Sequence, residues 1–352
     1  MKLLASPFSK TTENPVPFLL YQAIVALGVE VKSCTLRELI FSTWDVWHLN
    51  WPAEDILREP KRLRAVAKLV RFWIRLKVAK AKNIKIFWTV HNLKPHEVKY
   101  PLLTKVFWWL FLPSIDGLIL MSRSTVEKVH REFPHTNARP IFVIPHGHYR
   151  GAYSDSVDKK SARVRLGLNT SDLIISFLGQ IRPYKGVPSL VNCFRQLGQS
   201  GTSLIVAGKP LDRDIASQVT KAAAGDPKVK LHLEYVERDS VQFFLRAADL
   251  VVLPYTETIN SGSALLALSF DRPILVPAMG AIPDLYELAG DNWVRLYEGE
   301  LTPKILSDAI RWTRERPQGE FDRAFLDELD WNRLAWLTIE AFRSLRNDGQ
   351  RA

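Results

Sequence analysis

Short apolar runs typical of strands alternate with longer segments of helical period along both halves of this sequence. Strands that alternate with helices in this way pack as parallel sheets built from βαβ units. The predicted strands are Lys2–Ser6, Val29–Cys34, Asp45–Trp51, Ile84–His91, Gly117–Ser122 and Ile141–Pro145 in the first half, and Leu173–Leu178, Ser203–Ala207, Val229–Glu234, Leu250–Pro254 and Pro273–Pro277 in the second. The alternation predicts an α/β protein with two doubly wound, Rossmann-like domains.

A chain of 352 residues exceeds what one hydrophobic core usually organises, so two domains are expected. We predict a first domain over residues 1–150, a second over residues 151–330 and a closing helix within residues 331–352. The polar segment from Gly147 to Asp172 has no sustained period and is the predicted linker.

Several features predict a cytoplasmic protein. The apolar run that begins at Met1 is too short for a signal peptide, and Pro7 interrupts it. The longest uncharged aromatic run, from Val106 to Ile115, has about half of the roughly 20 residues that span a bilayer. Cys34 and Cys193 lie far apart and form no metal or redox motif, which favours a reducing compartment.

The formal charge of +11 would attract a polyanion, an anionic membrane surface or a phosphorylated substrate. The charge is uneven, because no acidic residue occurs from Pro60 to His96. Within that stretch, the segment from Lys61 to Lys82 predicts a basic amphipathic helix. This helix could pack its apolar stripe on the sheet or lie on an anionic bilayer. The stripe consists of Leu63, Val66, Leu69, Val70, Trp73 and Leu76. The nearby run from Val106 to Leu112 could insert in a membrane interface, line a lipid-acceptor groove or belong to the core.

The segment from Phe177 to Gly186 joins a predicted strand to a predicted helix through two glycines and two cations. Gly179 lets the backbone approach a ligand, the helix start offers free N–H donors, and Arg182 and Lys185 supply charge-assisted hydrogen bonds. Open α/β sheets bind ligands at the carboxyl ends of their strands. The pattern predicts a diphosphate site, and a solvated loop with ordinary surface cations is the alternative.

This segment, FLGQIRPYKG, resembles the diphosphate clamp of family 4 glycosyltransferases, the glycosyl transferases group 1. Further matches follow in the family's order at Leu204–Gly208, Ala247–Pro254 and Asp271–Leu275. The resemblance implies the GT-B fold, in which two Rossmann-like domains face a cleft and a C-terminal helix crosses back to the first domain. It also implies that residues 151–330 bind a nucleotide sugar and residues 1–150 bind the acceptor.

The loop after the predicted strand Leu250–Pro254 departs from the family. Members usually carry two glutamates separated by seven residues, but here the two positions fall on Thr258 and Leu266. Glu257, one residue early, is the candidate contact to the donor sugar. The small polar residues that follow are Asn260, Ser261, Gly262 and Ser263. They could cap the next helix, bind phosphate oxygens at its N-terminus, or do both.

In the first half, His91 ends a predicted strand, and Glu97 lies in the loop beyond it. A histidine that ends a buried strand is ordinarily a hydrogen-bonded core residue, whereas the family resemblance implies that His91 faces the donor sugar. Glu97 could be an acceptor-side base or a solvated carboxylate. Asn14 follows the first strand where the family has a glycine-rich loop, and it is a candidate donor contact.

We therefore expect a glycosyltransferase that moves a sugar from a nucleotide diphosphate to a saccharide or lipid-linked acceptor, in surface polysaccharide biosynthesis, on the inner face of the cytoplasmic membrane. Arg182 and Lys185 would stabilise the leaving diphosphate, so no metal or other cofactor is expected. The resemblance implies retention at the anomeric carbon. The alternatives are a catalytically silent GT-B subunit and a basic nucleic-acid-binding protein. We expect no nucleic-acid partner, because no recognition motif accompanies the charge.

Overall fold

Two six-stranded sheets, each entirely parallel, organise the chain. The structure, a computed structural model, describes residues 1–8, 14–93, 99–316 and 323–348. It divides into two units, one formed by residues 1–147 with the C-terminal segment from Leu329, and the other by His148–Glu328.

The first sheet has the strand order β2-β1-β3-β4-β5-β6. Its strands are β1 (Lys2–Ser6), β2 (Glu30–Ser33), β3 (Val46–Leu49), β4 (Lys85–Thr89), β5 (Gly117–Leu120) and β6 (Ile141–Val143). The helices of this unit are α1 (Val16–Ala26), α2 (Leu36–Phe41), α3 (Glu54–Leu57), α4 (Arg62–Ala81), α5 (Pro101–Phe111), α6 (Val126–Glu132) and α14 (Trp331–Asp348). The order reverses between β1 and β3, which makes their carboxyl ends the expected ligand position of this sheet.

Alternate strand residues bury the two faces of the first sheet against different helices. Trp47 and Trp88 face the helices α4 and α5, whereas Phe87 faces α1 and α14. The final helix α14 thus packs within the first unit, with Leu334 and Phe342 in the same core as Leu3 and Ile24.

The second sheet has the order β12-β11-β10-β7-β8-β9. Its strands are β7 (Leu173–Leu178), β8 (Thr202–Ala207), β9 (Val229–His232), β10 (Leu250–Val252), β11 (Ile274–Pro277) and β12 (Val294–Tyr297). The helices are α7 (Lys159–Arg165), α8 (Val187–Leu197), α9 (Arg213–Ala223), α10 (Val241–Ala247), α11 (Gly262–Ser269), α12 (Ile282–Ala289) and α13 (Pro303–Glu315). Here the order reverses between β7 and β10, so the predicted diphosphate segment follows a strand at the switch point.

The α/β class with two Rossmann-like sheets is confirmed, and each predicted strand overlaps an observed one. The sequence prediction omitted the edge strand β12, and it treated residues 147–172 as irregular although α7 lies inside them. Helix α7 is short, and Asp158 caps it by accepting a hydrogen bond from the Ser161 amide at 3.0 Å. Among the described residues, no helix has both the length and the apolarity that crossing a membrane requires.

Candidate functional site

Three predicted residues meet beyond the carboxyl end of β7. Gly179 has φ +146°, a conformation that side chains disfavour. A Cβ placed on it would lie 3.0 Å from Ser263 Oγ and 3.2 Å from Lys185 Nζ. The bare backbone of Gly179 thus leaves room beside an ammonium group and a hydroxyl.

The loop after β10 holds in place the turn that carries Arg182 and Lys185. The carbonyl oxygen of Tyr184 accepts hydrogen bonds from both the amide and the hydroxyl of Thr256, at 2.8 and 3.2 Å. Gly186, with φ +64°, packs so closely on Pro254 that a Cβ would collide with the Pro254 carbonyl oxygen. The two strand ends at the switch point are therefore joined through backbone contacts.

Ser261 caps helix α11, as one of the two sequence interpretations expected. Its Oγ accepts a hydrogen bond from the Ala264 amide at 3.1 Å and lies 3.0 Å from the hydroxyl of Tyr255. A Cβ on Gly262 would lie 2.9 Å from the Tyr149 hydroxyl, so this helix start also passes close to Tyr149. Because the first amides of a helix have no intrahelical partner, Gly262 and Ser263 begin α11 with donors aimed away from it.

Burial and a neighbouring cation disfavour the charged form of Lys185. Burial, and secondarily the positive charge of Arg182, lower the pKa of Lys185 to about 8. Its Nζ lies 5.8 Å from the centroid of the Tyr255 ring, and the Arg182 guanidinium donates to Gln180 Oε1 at 3.1 Å. A diphosphate at this position would offset both the desolvation of Lys185 and its repulsion from Arg182.

Glu257 is exposed on the loop that also carries Thr258 and Asn260. Burial raises the pKa of Tyr184, the Arg182 guanidinium opposes that rise, and the Glu257 carboxylate adds to it. Glu257 and Arg182 therefore both act electrostatically on Tyr184. The Thr258 hydroxyl donates to the backbone carbonyl of Asn260 at 2.9 Å, so the position where the family has its first glutamate helps to shape this loop.

A buried polar network runs through the first unit to His91. His91 Nε2 lies 3.0 Å from Asn50 Oδ1, and Asn50 Nδ2 donates to the Tyr21 hydroxyl at 2.8 Å. The Tyr21 hydroxyl in turn lies 2.9 Å from His48 Nδ1, and His48 Nε2 lies 2.7 Å from the Thr89 hydroxyl. Because Asn50 presents its oxygen to His91, the network assigns the His91 proton to Nε2.

His91 is held as a neutral imidazole in a buried, stacked position. Only 8% of its surface is exposed, and the ring stacks on Trp51 with centroids 3.9 Å apart. Burial, followed by the nearby His146 and His48, lowers the pKa of His91 well below its usual value. Burial likewise lowers the pKa of His48 to about 3.

A small cavity of about 30 Å³ adjoins this network, and His48, Asn50, His91 and His146 line it. A cavity of this size holds about one or two water molecules. His91 is thus a buried, hydrogen-bonded histidine at the carboxyl edge of the first sheet, and its contact with the donor sugar stays a prediction.

Sequence reasoning did not single out His48, Asn50, Tyr21 or Trp51. One signal was available, since Asn50 and Trp51 directly follow β3, at the edge where parallel sheets bind ligands. Asn14 accepts a hydrogen bond from the Val16 amide at 3.1 Å and so supports the start of α1. Glu97 lies outside the described residues.

The comparisons with known proteins assign the class. The chain belongs to the glycosyl transferases group 1, whose family model matches residues 172–313, and it is a glycosyltransferase of the GT-B fold. It is 32% identical, over 97% of its length and 93% of the relative's, to a GDP-mannose:glycolipid 4-β-D-mannosyltransferase of Xanthomonas campestris pv. campestris.

Two solved structures share the fold. A trehalose-phosphate synthase from Burkholderia vietnamiensis has a TM-score of 0.64 at 11% identity, covering 99% of this chain and 97% of that one. A sucrose-phosphate synthase from Thermosynechococcus elongatus has a TM-score of 0.61 at 15% identity, again covering 99% and 97%. Among the described residues, no group of three or more His, Cys, Asp or Glu side chains is arranged to hold a metal ion.

Proposed function

We propose that this glycosyltransferase moves a mannosyl unit from GDP-mannose to a lipid-linked saccharide at a membrane surface. The observation that carries the proposal is the meeting of Gly179, Lys185 and Ser263 beyond β7, where backbone space, a cation and a helix N-terminus coincide. Mannose, guanosine and the glycolipid class come from the mannosyltransferase that is 32% identical over 97% of this chain.

Transfer breaks the bond between the anomeric carbon and the diphosphate oxygen, and the electron pair leaves with the diphosphate. Lys185, Arg182 and the first amides of α11 are the groups that stabilise this charge in our proposal, since fixed donors and cations in a partly desolvated site act strongly on a leaving group. An acceptor hydroxyl attacks the anomeric carbon, forms the new C–O bond and releases its proton to water. His91, whose Nε2 proton is committed to Asn50, contacts the sugar without donating a proton to it.

The family resemblance implied retention at the anomeric carbon, but the relative's name gives its product a β linkage. An α-linked sugar nucleotide yields a β-linked product only by inversion. We give more weight to that relative, because it matches 97% of the chain whereas the group 1 model matches residues 172–313. Our proposal is therefore inversion, and the anomeric coupling constant of the product, measured by NMR, distinguishes the two outcomes.

The outer surface of α4 and α5 supports attachment to an anionic membrane. The apolar residues Leu63 and Trp109 are 85% and 74% exposed, and Val66, Val70 and Trp73 are exposed as well. Helix α4 carries no acidic residue, and Arg62 and Arg71 form no ion pair within the described residues. Exposed apolar side chains flanked by unpaired cations suit the interface of an anionic bilayer, where each basic residue contributes about 1 kcal/mol.

The donor assignment is tested by the melting temperature in the presence of GDP, UDP, ADP and GDP-mannose, because a ligand of the folded state raises it. We expect a rise with GDP and GDP-mannose, and its loss in Arg182→Ala/Lys185→Ala. The matched control is Lys221→Ala/Lys230→Ala, which removes two exposed cations elsewhere on the second unit and should keep the full rise. A rise with UDP alone would replace the guanosine assignment, and no rise with any nucleotide would overturn the donor site.

Membrane attachment is tested by sedimentation with phosphatidylglycerol-containing vesicles. The charge reversal Arg64→Glu/Arg71→Glu should lower the membrane partition constant at least tenfold, since about 1 kcal/mol is lost with each residue and repulsion is added. Arg213→Glu/Lys221→Glu on α9 makes the same change of charge elsewhere and should bind as the wild type does. Equal loss of binding in both variants would mean that attachment depends on net charge alone.

A further inference from the structure

A groove of about 490 Å³ opens between helices α4 and α5 of the first unit. Its lining includes Arg62 and Val66 on α4, and Lys99, Tyr100, Leu102 and Val106 in and before α5. The volume falls in the range of about 300–1,000 Å³ that small-molecule pockets usually have.

Hydrogen bonds join the two helices that form the groove. Lys99 Nζ and the Tyr100 hydroxyl both donate to the Pro60 carbonyl oxygen, at 3.2 and 2.8 Å, and so join the start of α5 to the start of α4. Deeper between the same helices, the rings of Phe72 and Phe107 stack with centroids 5.4 Å apart. The two helices are therefore held together by buried packing, and the groove does not depend on a ligand for its shape.

Apolar walls and cations share this groove. The side chains of Val66, Leu102 and Val106 line the groove and are 41%, 69% and 37% exposed. Arg62 and Lys99 are its charged members, and no acidic side chain is among the described lining residues. A ligand that complements both the apolar walls and the two cations has a hydrocarbon chain and an anionic group.

The position of the groove follows from the order of the elements. Helix α4 follows β3 and helix α5 follows β4, so in these parallel units both helices begin at the carboxyl edge of the sheet. Arg62 and Pro101 are their first residues. Asn50 and His91 follow the same two strands, so the groove opens at the sheet edge that carries the His91 network.

We propose that this groove binds the lipid of the acceptor, with the first part of the hydrocarbon chain against Val66, Leu102 and Val106 and its phosphate beside Arg62 and Lys99. The proposal rests on the proposed function and deepens it. Attachment to the bilayer uses the exposed surface of α4, whereas the groove selects one amphiphile and holds it at the sheet edge. The groove thus accounts for recognition of a lipid phosphate as distinct from a membrane surface.

The direct test is photolabelling of the full chain with a hexadecyl phosphate that carries a diazirine in its chain. We expect label in the peptides that hold residues 62–66 and 99–106, competed by plain hexadecyl phosphate and much less by hexadecanol or inorganic phosphate. Val66→Trp fills the groove and should lower the labelling at least tenfold. Val25→Trp, at an exposed valine of α1 that lies outside both the groove lining and the surface of α4, is the matched control and should label as the wild type does.

The outcomes separate this proposal from the function it rests on. Label outside the groove, or equal labelling of the two tryptophan variants, overturns the groove. A third outcome is that the wild type is not labelled and Val66→Trp changes between monomer and dimer. The groove would then be a contact between copies of this chain, and the lipid proposal would be overturned. The GDP-induced rise in melting temperature is measured on the same samples, and its absence in the wild type would count against the donor site and leave the labelling result standing.

Discussion

The indole of Trp51 lies flat on the imidazole of His91, with the ring planes 21° apart and the centroids separated by 3.9 Å. Asn50, the residue before Trp51, accepts a hydrogen bond from Nε2 of the same imidazole. Two consecutive residues after β3 thus fix both the tilt of the His91 ring and the nitrogen that carries its proton.

Asn50→Ala should reduce kcat about tenfold to a hundredfold, because a misplaced group in an active site costs about that much. The GDP-induced rise in melting temperature should persist, since the proposed donor site lies in the second unit. Asn137→Ala, an exposed asparagine of the first unit, is the control and should leave kcat unchanged. Loss of the GDP effect in Asn50→Ala would mean that the network supports folding alone.

Asn50→Asp tests whether His91 acts in transfer or only supports the fold, because it should change the pH dependence of kcat. A carboxylate beside His91 would raise the pKa of the imidazole, against the lowering by burial, His146 and His48. His91 would then be protonated up to a higher pH, so the acidic limb of the kcat profile should shift upward by about one pH unit or more. An unshifted limb would show that neutral His91 is not required for transfer.

Gly179→Ala should abolish the GDP-induced rise in melting temperature. The new Cβ would occupy the space beside Ser263 Oγ and Lys185 Nζ, and φ +146° would be strained by about 1–3 kcal/mol. Gly167→Ala introduces a methyl group at φ +63° with no atom within 4 Å of it, so it should lose stability and keep the GDP effect. Normal GDP binding by Gly179→Ala would remove this glycine from the donor site.

GDP affinity should fall as the pH rises above about 8, where Lys185 loses its proton in the free protein. Affinity falls with rising pH because the diphosphate binds the charged ammonium of Lys185. Above the lowered pKa of Lys185, binding must therefore take up a proton. A slope near tenfold per pH unit is expected from titration calorimetry between about pH 8 and 10. Lys185→Arg remains charged over this range and should bind with a flat profile; a parallel decline in both proteins would exclude Lys185 as the cause.

Ser261→Ala should lower the free energy of unfolding by about 1 kcal/mol through loss of the helix cap and should also weaken GDP binding. Thr302 caps α13 in the same way, accepting from the Ile305 amide at 3.3 Å. Thr302→Ala therefore matches the loss of stability without touching the proposed site. Chemical denaturation gives the loss of stability in each variant, and calorimetry gives its GDP affinity. Equal GDP affinity in the two variants would mean that Ser261 caps the helix and does not contact GDP.

The buried strands and the loop at residues 177–186 could be predicted because continuous apolar runs and glycine–cation patterns are local in sequence. The edge strand β12 was missed since Arg295 is exposed and interrupts its apolar residues. The network around His91 was out of reach for a different reason. Its hydrogen bonds join residues 27 to 41 positions apart, from α1, β3 and β4, and only the packed sheet brings them together.

Helix α4 shows what helical periodicity in a sequence can and cannot predict. The sequence predicted one stripe containing Leu63, Val66, Leu69, Val70, Trp73 and Leu76. The structure divides it: Leu69 and Leu76 join Phe72 in the core, whereas Leu63, Val66, Val70 and Trp73 remain exposed. Helical period identifies residues that share a side, but apolar residues occupy two sides here. Packing decides which side is buried, and the other became the surface that suits a membrane.

The last helix, α14, gives the chain a folding order. Its residues Ala335, Ile339 and Phe342 belong to the core that contains Leu3 and Phe87, so the first unit is made of two segments separated by the whole of the second. During synthesis the second unit can fold as a continuous piece while the first still lacks one wall of its core. We therefore expect the amino-terminal half to be the later of the two to reach its final stability, although it leaves the ribosome first.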